Sequence, residues 1–243
     1  MKTALVTGGA GGIGQATARV LAARGARVIV ADVDEGGART TADEVGGESV
    51  GVDVADDASV AAMVAFCVDR FGGLDWACNI AGISPEVKPF VEHTPAEWQR
   101  TIDVNLRGVF FCMQHELRQM AAQGRGGAIV NMASAAGVVP APGQPQYTAA
   151  KHGVLGLTKQ AAQEFARSGI RVNAVLPGQT ETAPMRAYLD ALPDHGEKMA
   201  RRLPMGRLAT PAEIANTVVW LCSDEASYVN GVSLAVDGGL IVR

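Results

Sequence analysis

Ser134, Tyr147 and Lys151 are the residues whose types and spacing offer chemistry. Tyr147 and Lys151 lie in a helix-periodic stretch that opens just after Pro145, so they fall one turn apart on the same helix face. An ammonium close to a phenol favours the phenolate and lowers a pKa that starts near ~10. A tyrosine tuned in this way acts as general acid or base near neutral pH. Ser134 follows an apolar, strand-like run and is suited to hydrogen-bond a substrate oxygen while a hydride moves. Alone, a Tyr-x-x-x-Lys pair or a loop serine means little. Position gives them weight, because ligands bind at the strand ends of an open parallel sheet.

The elements that must supply such strand ends alternate along the chain. Short β-branched runs are expected as strands at Thr3–Thr7, Arg27–Ala31, Ser49–Val52, Leu74–Asn79, Ala128–Met132, Arg171–Leu176 and Ser233–Val236. Most are continuous apolar runs, as strands buried on both faces should be. Helices are expected at about Ile13–Ala23, Glu35–Val45, Ala58–Phe71, Pro95–Gln123, Gln146–Ala166 and Pro211–Ser223. Thr94-Pro95-Ala96-Glu97 has the pattern of a capping box with proline at the first helical position, and Gly25 and Gly169 stand where helices should end. Repeated βα units imply right-handed crossovers and a doubly wound parallel sheet of about seven strands with helices on both faces. The whole of residues 1–243 reads as one domain of this α/β class. The long strand-free stretch Gln179–Ala209 reads as a lid or binding segment.

Thr7-Gly8-Gly9-Ala10-Gly11-Gly12-Ile13-Gly14 falls between the first strand and the first helix. Glycines there let the backbone turn tightly and approach a pyrophosphate, and the helix beyond presents free N–H groups to it. Asp32 follows at the end of the second strand, where a carboxylate can accept hydrogen bonds from adenosine ribose hydroxyls. Val33, Asp34 and Glu35 come next, with no Arg or Lys beside them, so a 2′-phosphate would be repelled and NAD is favoured over NADP. Asp53-Val54, after the third strand, is a plausible adenine contact.

Composition narrows the classes. Net charge is −4 with no basic run, which gives nucleic-acid binding no electrostatic support. No stretch approaches ~18 uninterrupted apolar residues, so no membrane span is expected, and the start of the chain leaves no room for a signal peptide. A cytoplasmic protein is the expectation. Cys67, Cys78, Cys112 and Cys222 form no CxxC pair and read as small buried hydrophobes. His93, His115, His152 and His195 show no metal spacing, so no metal is expected.

Over essentially its whole length the chain resembles the classical short-chain dehydrogenases/reductases, which have a single-domain Rossmann fold. The glycine turn from Thr7 to Gly14, Asn79-Ile80-Ala81-Gly82, Asn105 within Val104-Asn105-Leu106, and Ser134 with Tyr147 and Lys151 match that family's motifs in order. So do Pro177-Gly178 with Thr182, and Gly231 with Val236-Asp237-Gly238-Gly239. The resemblance implies Tyr147 as acid/base and Lys151 as the group that lowers its pKa and binds the nicotinamide ribose. It implies Ser134 as the orienter of the substrate oxygen, and Asn105 as the holder of a water that links Lys151 to solvent. Gly8, Gly12, Ile13, Gly14, Asp32, Val33, Asp53, Val54, Asn79, Ala81, Gly82, Pro177, Gly178, Thr180 and Thr182 would contact NAD together with Tyr147 and Lys151. It further implies a small-molecule alcohol or ketone substrate and a homotetramer or homodimer, assembled partly through the helices that hold Asn105 and Tyr147. Two positions depart from the family. Ile80 replaces a second Asn that usually tethers the sheet, which puts some polar bracing in doubt, and Thr180 stands where Ile is frequent.

Ser84, Glu86, Val138, Met185 and Tyr188 are pocket candidates by the same analogy, Gln144 either lines the substrate pocket or solvates the helix start, and Arg186, Arg201 and Arg202 are either anion contacts or a solvated face. The leading expectation is NAD-dependent interconversion of a secondary alcohol and a ketone. The alternatives are a 3-oxoacyl thioester reductase, against which the acidic cofactor patch weighs, a cofactor-free lyase, and a non-catalytic dinucleotide-binding regulator.

Overall fold

The computed structural model describes residues 1–191 and 193–242; the side chains of Pro184, Tyr188, Ala191 and residues 193–195 lie outside the described set, and with them the readings placed on Tyr188 and His195. Seven apolar runs form one sheet: β1 (Thr3–Thr7), β2 (Arg27–Asp32), β3 (Glu48–Gly51), β4 (Trp76–Asn79), β5 (Gly127–Met132), β6 (Ile170–Pro177) and β7 (Ser233–Val236). Their order is β3-β2-β1-β4-β5-β6-β7, and every pairing is parallel. The helices are α1 (Gly12–Ala23), α2 (Glu35–Val45), α3 (Asp57–Phe71), α4 (Pro95–Ile102), α5 (Gly108–Gln123), α6 (Pro145–Phe165), α7 (Ala183–Ala191), α8 (Pro193–Arg201) and α9 (Pro211–Cys222).

Both faces of the sheet are covered, which is why all five residues of β1 are buried. Leu21 of α1, Ala38 of α2 and Ile214 and Val218 of α9 pack with Val6, Val30 and Val130 on one face. Met63 of α3, Val109 of α5 and Val154 of α6 pack with Leu5, Ile29 and Ile129 on the other. The chain reverses direction across the sheet between β1 and β4, and that switch opens a crevice at the carboxyl ends of the strands. Among the described residues no helix is long and apolar enough to cross a membrane.

Most boundaries agree with the sequence reading to within two residues. The expected helix Pro95–Gln123 is divided, because residues Asp103–Arg107 form a π turn between α4 and α5. Hydrophobic spacing does not register one widened turn inside a helix. Such turns recur at functional sites, and this one holds Asn105. Thr94 caps α4 through the expected capping box, and Thr210 with Glu213 forms a second one at α9.

The strand-free segment is a closed excursion. Its two ends are tied by Glu181 N–H to Ala209 O at 2.8 Å and Ala209 N–H to Gln179 O at 2.9 Å, and α7 and α8 fill the span between. Its base leans on the C-terminal glycines. A Cβ at Gly239 would stand 3.1 Å from Pro204, and Met205 N–H donates to Gly238 O at 3.2 Å.

Candidate active site

The turn after β1 is shaped by close approach of backbone to backbone. A Cβ on Gly14 would lie 1.9 Å from the Gly8 carbonyl oxygen, and one on Gly8 would lie 2.8 Å from Ala81 N at the end of β4. A side chain at either place would force the strand ends apart. Thr7 braces the same corner, since its hydroxyl oxygen accepts the N–H groups of Ile80 (3.1 Å) and Ala81 (3.2 Å). Helix α1 begins at Gly12 with no side-chain cap, so its first N–H groups are free for an anion. Gly11 has open space where a Cβ would be, and a Cβ on Gly12 would stand 3.2 Å from Thr182 Cγ2. A glycine-walled groove ending at an uncapped helix fits a dinucleotide's pyrophosphate.

Asp32 ends β2 beside this turn. Its Oδ2 accepts the Ala10 N–H at 3.0 Å and its Oδ1 accepts the Asp34 N–H at 3.0 Å, so the carboxylate is fixed against the glycine turn. Capping of α2 falls to Asp34, whose Oδ1 accepts the Gly37 N–H. Val33 is 75% exposed at this edge, available as an apolar wall. Asp53 turns its Oδ1 back onto the Ala55 N–H, while Val54 is buried against α5 near Gly108.

Across the crevice, Ser134 stands just past β5, with its Oγ accepting the Ala136 N–H at 3.1 Å and hydrogen-bonding the Tyr147 hydroxyl. Lys151 is buried one turn further along α6, with Nζ 5.5 Å from the centre of the Tyr147 ring and donating to Met132 O at 2.7 Å. Burial pulls the Lys151 ammonium down to about 8. Burial likewise pushes the Tyr147 phenol above its ordinary value, and the Ser134 hydrogen bond opposes this only in part. The lowering expected from a nearby lysine is therefore absent in the protein by itself. Desolvation dominates the phenol, and the lysine's own charge is disfavoured by burial.

Asn105 spends its side chain on one residue, with Oδ1 accepting the Ile83 N–H (2.9 Å) and Nδ2 donating to the Ile83 carbonyl (2.8 Å). It also fixes the loop after β4, where a Cβ on Gly82 would meet Asn105 Oδ1 at 2.7 Å and would lie 3.8 Å from Lys151 Nζ. Beyond β6, Gly178 abuts Asp237, and the Thr180 hydroxyl donates to Gly178 O rather than into the groove.

The bracing put in doubt by Ile80 comes from its neighbour. Asn79 Nδ2 donates to Asn131 Oδ1 (3.0 Å) and to Glu116 Oε2 (2.9 Å), and Asn131 Nδ2 donates to Thr158 Oγ1 (3.0 Å). These bonds tie β4, β5, α5 and α6 together directly behind the site. The Asn79 side chain is thereby turned inward, which leaves its backbone to meet a cofactor. Burial pushes Glu116 up to about 7. Sequence reading missed this glutamate, because a lone acid at a helical position carries no signal of its depth. The Cys residues are free and buried, as expected, and burial pushes the Cys67 thiol up to about 12. No His, Cys, Asp and Glu cluster able to hold a metal occurs among the described residues.

Comparison with known proteins agrees with this geometry. The profile of a family described as enoyl-(acyl carrier protein) reductase matches residues 8–241. A short chain dehydrogenase/reductase of Aspergillus oryzae is 44% identical, covering 98% of this chain and 94% of its own. The cis-4-hydroxycyclohexanecarboxylate dehydrogenase of Sinomonas cyclohexanicum is 48% identical, covering 98% and 96%. The cyclohexanol dehydrogenase of an Acinetobacter species is 43% identical, covering 98% and 94%. Among solved structures, levodione reductase superposes with a TM-score of 0.93 at 37% identity, covering 100% of this chain and 98% of its own. Actinorhodin polyketide ketoreductase with NADPH does so with a TM-score of 0.93 at 35% identity, covering 100% and 98%.

Proposed function

This chain belongs to the short-chain dehydrogenase/reductase family of oxidoreductases, whose cofactor is a nicotinamide dinucleotide, and we propose that it is an NAD-dependent dehydrogenase interconverting secondary alcohols and ketones. The observation that carries this reading is the Ser134–Tyr147 hydrogen bond, with Lys151 one helical turn below it, on the far side of the crevice from the uncapped start of α1. Bound NAD would supply the carbon that takes or gives the hydride.

The chain's own residues do the rest. Gly8, Gly12, Ile13 and Gly14 admit the pyrophosphate. Asp32, Val33, Asp53 and Val54 receive the adenosine. Ala81, Gly82, Pro177, Gly178, Thr180 and Thr182, with the Asn79 backbone, line the nicotinamide end. The Tyr147 oxygen takes the proton from the substrate hydroxyl in oxidation and returns it in reduction. Ser134 holds the substrate oxygen in line with that transfer. Lys151 stabilises the phenolate, an effect that grows as ligands exclude water from the pair, and it also holds the nicotinamide ribose. Asn105, through its backbone in the widened turn, holds the water that carries the proton onward. Residues 179–209 form the lid, with their two ends tied to each other at Glu181 and Ala209.

Preference for NAD over NADP rests on Asp32 with Asp34 and Glu35 at the adenosine end, where a 2′-phosphate would meet three carboxylates. The names of two relatives favour an alcohol carried on a six-membered ring. The second reading, a carrier-linked acyl reductase, takes its support from the family profile's description. We further propose a homotetramer or homodimer built partly on the α4–α5 segment that holds Asn105, where Trp98 and Phe110 are each 43% exposed, and on α6, which holds Tyr147. Initial rates with NAD and NADP over cyclohexanol, open-chain secondary alcohols, polyols and a 3-hydroxyacyl thioester test the reading. Faster turnover of cyclohexanol with NAD is expected. Activity confined to the thioester with NADP overturns it.

A further inference from the structure

Two loops border the substrate side of Tyr147, one running from β4 to α4 and one from β5 to α6. The contacts between them are specific. Gln144 Nε2 donates to Pro85 O at 2.8 Å, and Lys88 N–H donates to Gly143 O at 3.2 Å. His93 then reaches across with both ring nitrogens. Its Nε2 lies 3.0 Å from Gly143 O and 3.2 Å from Lys88 O, and its Nδ1 lies 3.1 Å from Nε2 of Gln146, the residue just before Tyr147.

We propose that His93 and Gln146 are positioning residues, a clamp that docks the loop after β4 onto the loop before α6 and so sets the substrate wall together with the helical turn that carries Tyr147. The proposal rests on the dehydrogenase reading above and extends it to two residues outside the chemistry.

Hydrogen-bond logic fixes the clamp's state. Two carbonyl oxygens face His93 Nε2, and carbonyls only accept, so that nitrogen carries the hydrogen. In a neutral ring Nδ1 is then an acceptor, and Gln146 must offer its NH₂ group. Gln146 is 1% exposed and its Oε1 is left buried with no partner. An apolar residue would fill that space without an orphaned acceptor, so the amide is there for its donor. Gly143 is part of the same fit, since a Cβ there would stand 2.9 Å from Val87 Cγ1.

The clamp joins the two loops and leaves the glycine turn after β1 untouched, so its effect falls on alcohol binding rather than on the dinucleotide.

The test uses the full chain with NAD and cyclohexanol as probe. His93→Phe and Gln146→Leu should each raise KM for cyclohexanol at least about tenfold, with kcat lowered less and NADH affinity within about twofold. His93→Gln, which keeps a donor toward Gly143 and Lys88, should bring KM back toward the parent value. Imidazole ¹⁵N resonances should place the hydrogen of neutral His93 on Nε2. Unchanged KM overturns the proposal, as does a loss of NADH affinity in step with KM, or a hydrogen on Nδ1. Should the parent protein leave cyclohexanol untouched, the substrate reading fails, and the ¹⁵N tautomer alone decides for or against the clamp.

Discussion

At the end of β1 the chain is so tightly folded that a Cβ on Gly14 would stand 1.9 Å from a carbonyl oxygen, and the groove is made almost wholly of backbone. At the end of β5 the site is made of side chains, Ser134, Tyr147 and Lys151, and burial disfavours the charged forms of the tyrosine and the lysine. The first region is complete as it folds: its N–H groups are free and its one key carboxylate, Asp32, is fixed by two backbone donors. The second is folded but not yet tuned, since the phenol lies above its ordinary value and the lysine below. On the proposed reading, recognition of the dinucleotide is set by shape, whereas acid/base power depends on what binds next to it.

The comparison breaks at its chemical end if Tyr147 is dispensable. Tyr147→Phe should keep NADH binding and lower kcat by roughly 10³-fold, within the usual range for loss of a general acid or base. Fluorescence titration with NADH and steady-state rates read the two effects separately, and near-parental turnover would remove the acid/base role. At the other end, Asp32→Ala should weaken NAD by roughly 10–100-fold, as expected for a lost hydrogen bond to a charged group, and narrow the preference over NADP. Ratios of kcat/KM for the two cofactors report it, and an unchanged ratio would deny that carboxylate its part.

A smaller effect sharpens the picture of the bracing behind the site. Burial raises Glu116 to about 7, so the fold favours its neutral form. An unfolded chain ionises a glutamate near ~4.3. The group's contribution to stability therefore falls as pH rises from about 4 to about 7 and is least favourable above that. Glu116→Gln should be more stable than the parent at pH 8, by on the order of 3 kcal/mol, with little difference at pH 4. Denaturant melts at the two pH values check this. Equal stability at pH 8 would mean that the parent's Glu116 carries no burial penalty there.

Much of this was legible in the sequence for a physical reason. Glycine spacing, a strand-end Asp and a Tyr one turn from a Lys are local patterns, and the sheet that brings them together follows from apolar runs of the right length. Ser134 and Tyr147 meet as that pattern implied. What could not be read depends on depth and on contacts between distant segments. Asn105 was marked, but not the π turn that holds it. Ile80 drew attention, yet the tether is made by Asn79 with Glu116, Asn131 and Thr158. His93 shows only a lack of metal spacing in the sequence, and its bonds to Gly143 and Gln146 exist only because two loops meet. The direction of the Tyr147 shift was misjudged because charge proximity is visible in a sequence and desolvation is not.

The central claim is that binding of NAD converts a buried, reluctant phenol into a working acid/base, and the phenol can be watched directly. The chain has three tyrosines, so ¹³Cζ-tyrosine labelling with Tyr147→Phe as the assignment control isolates its resonance. In the free protein Tyr147 should titrate above the ordinary tyrosine value, and with NAD⁺ bound it should fall by at least about 2 units toward neutrality. A Tyr147 resonance with the same titration in both states would contradict the account.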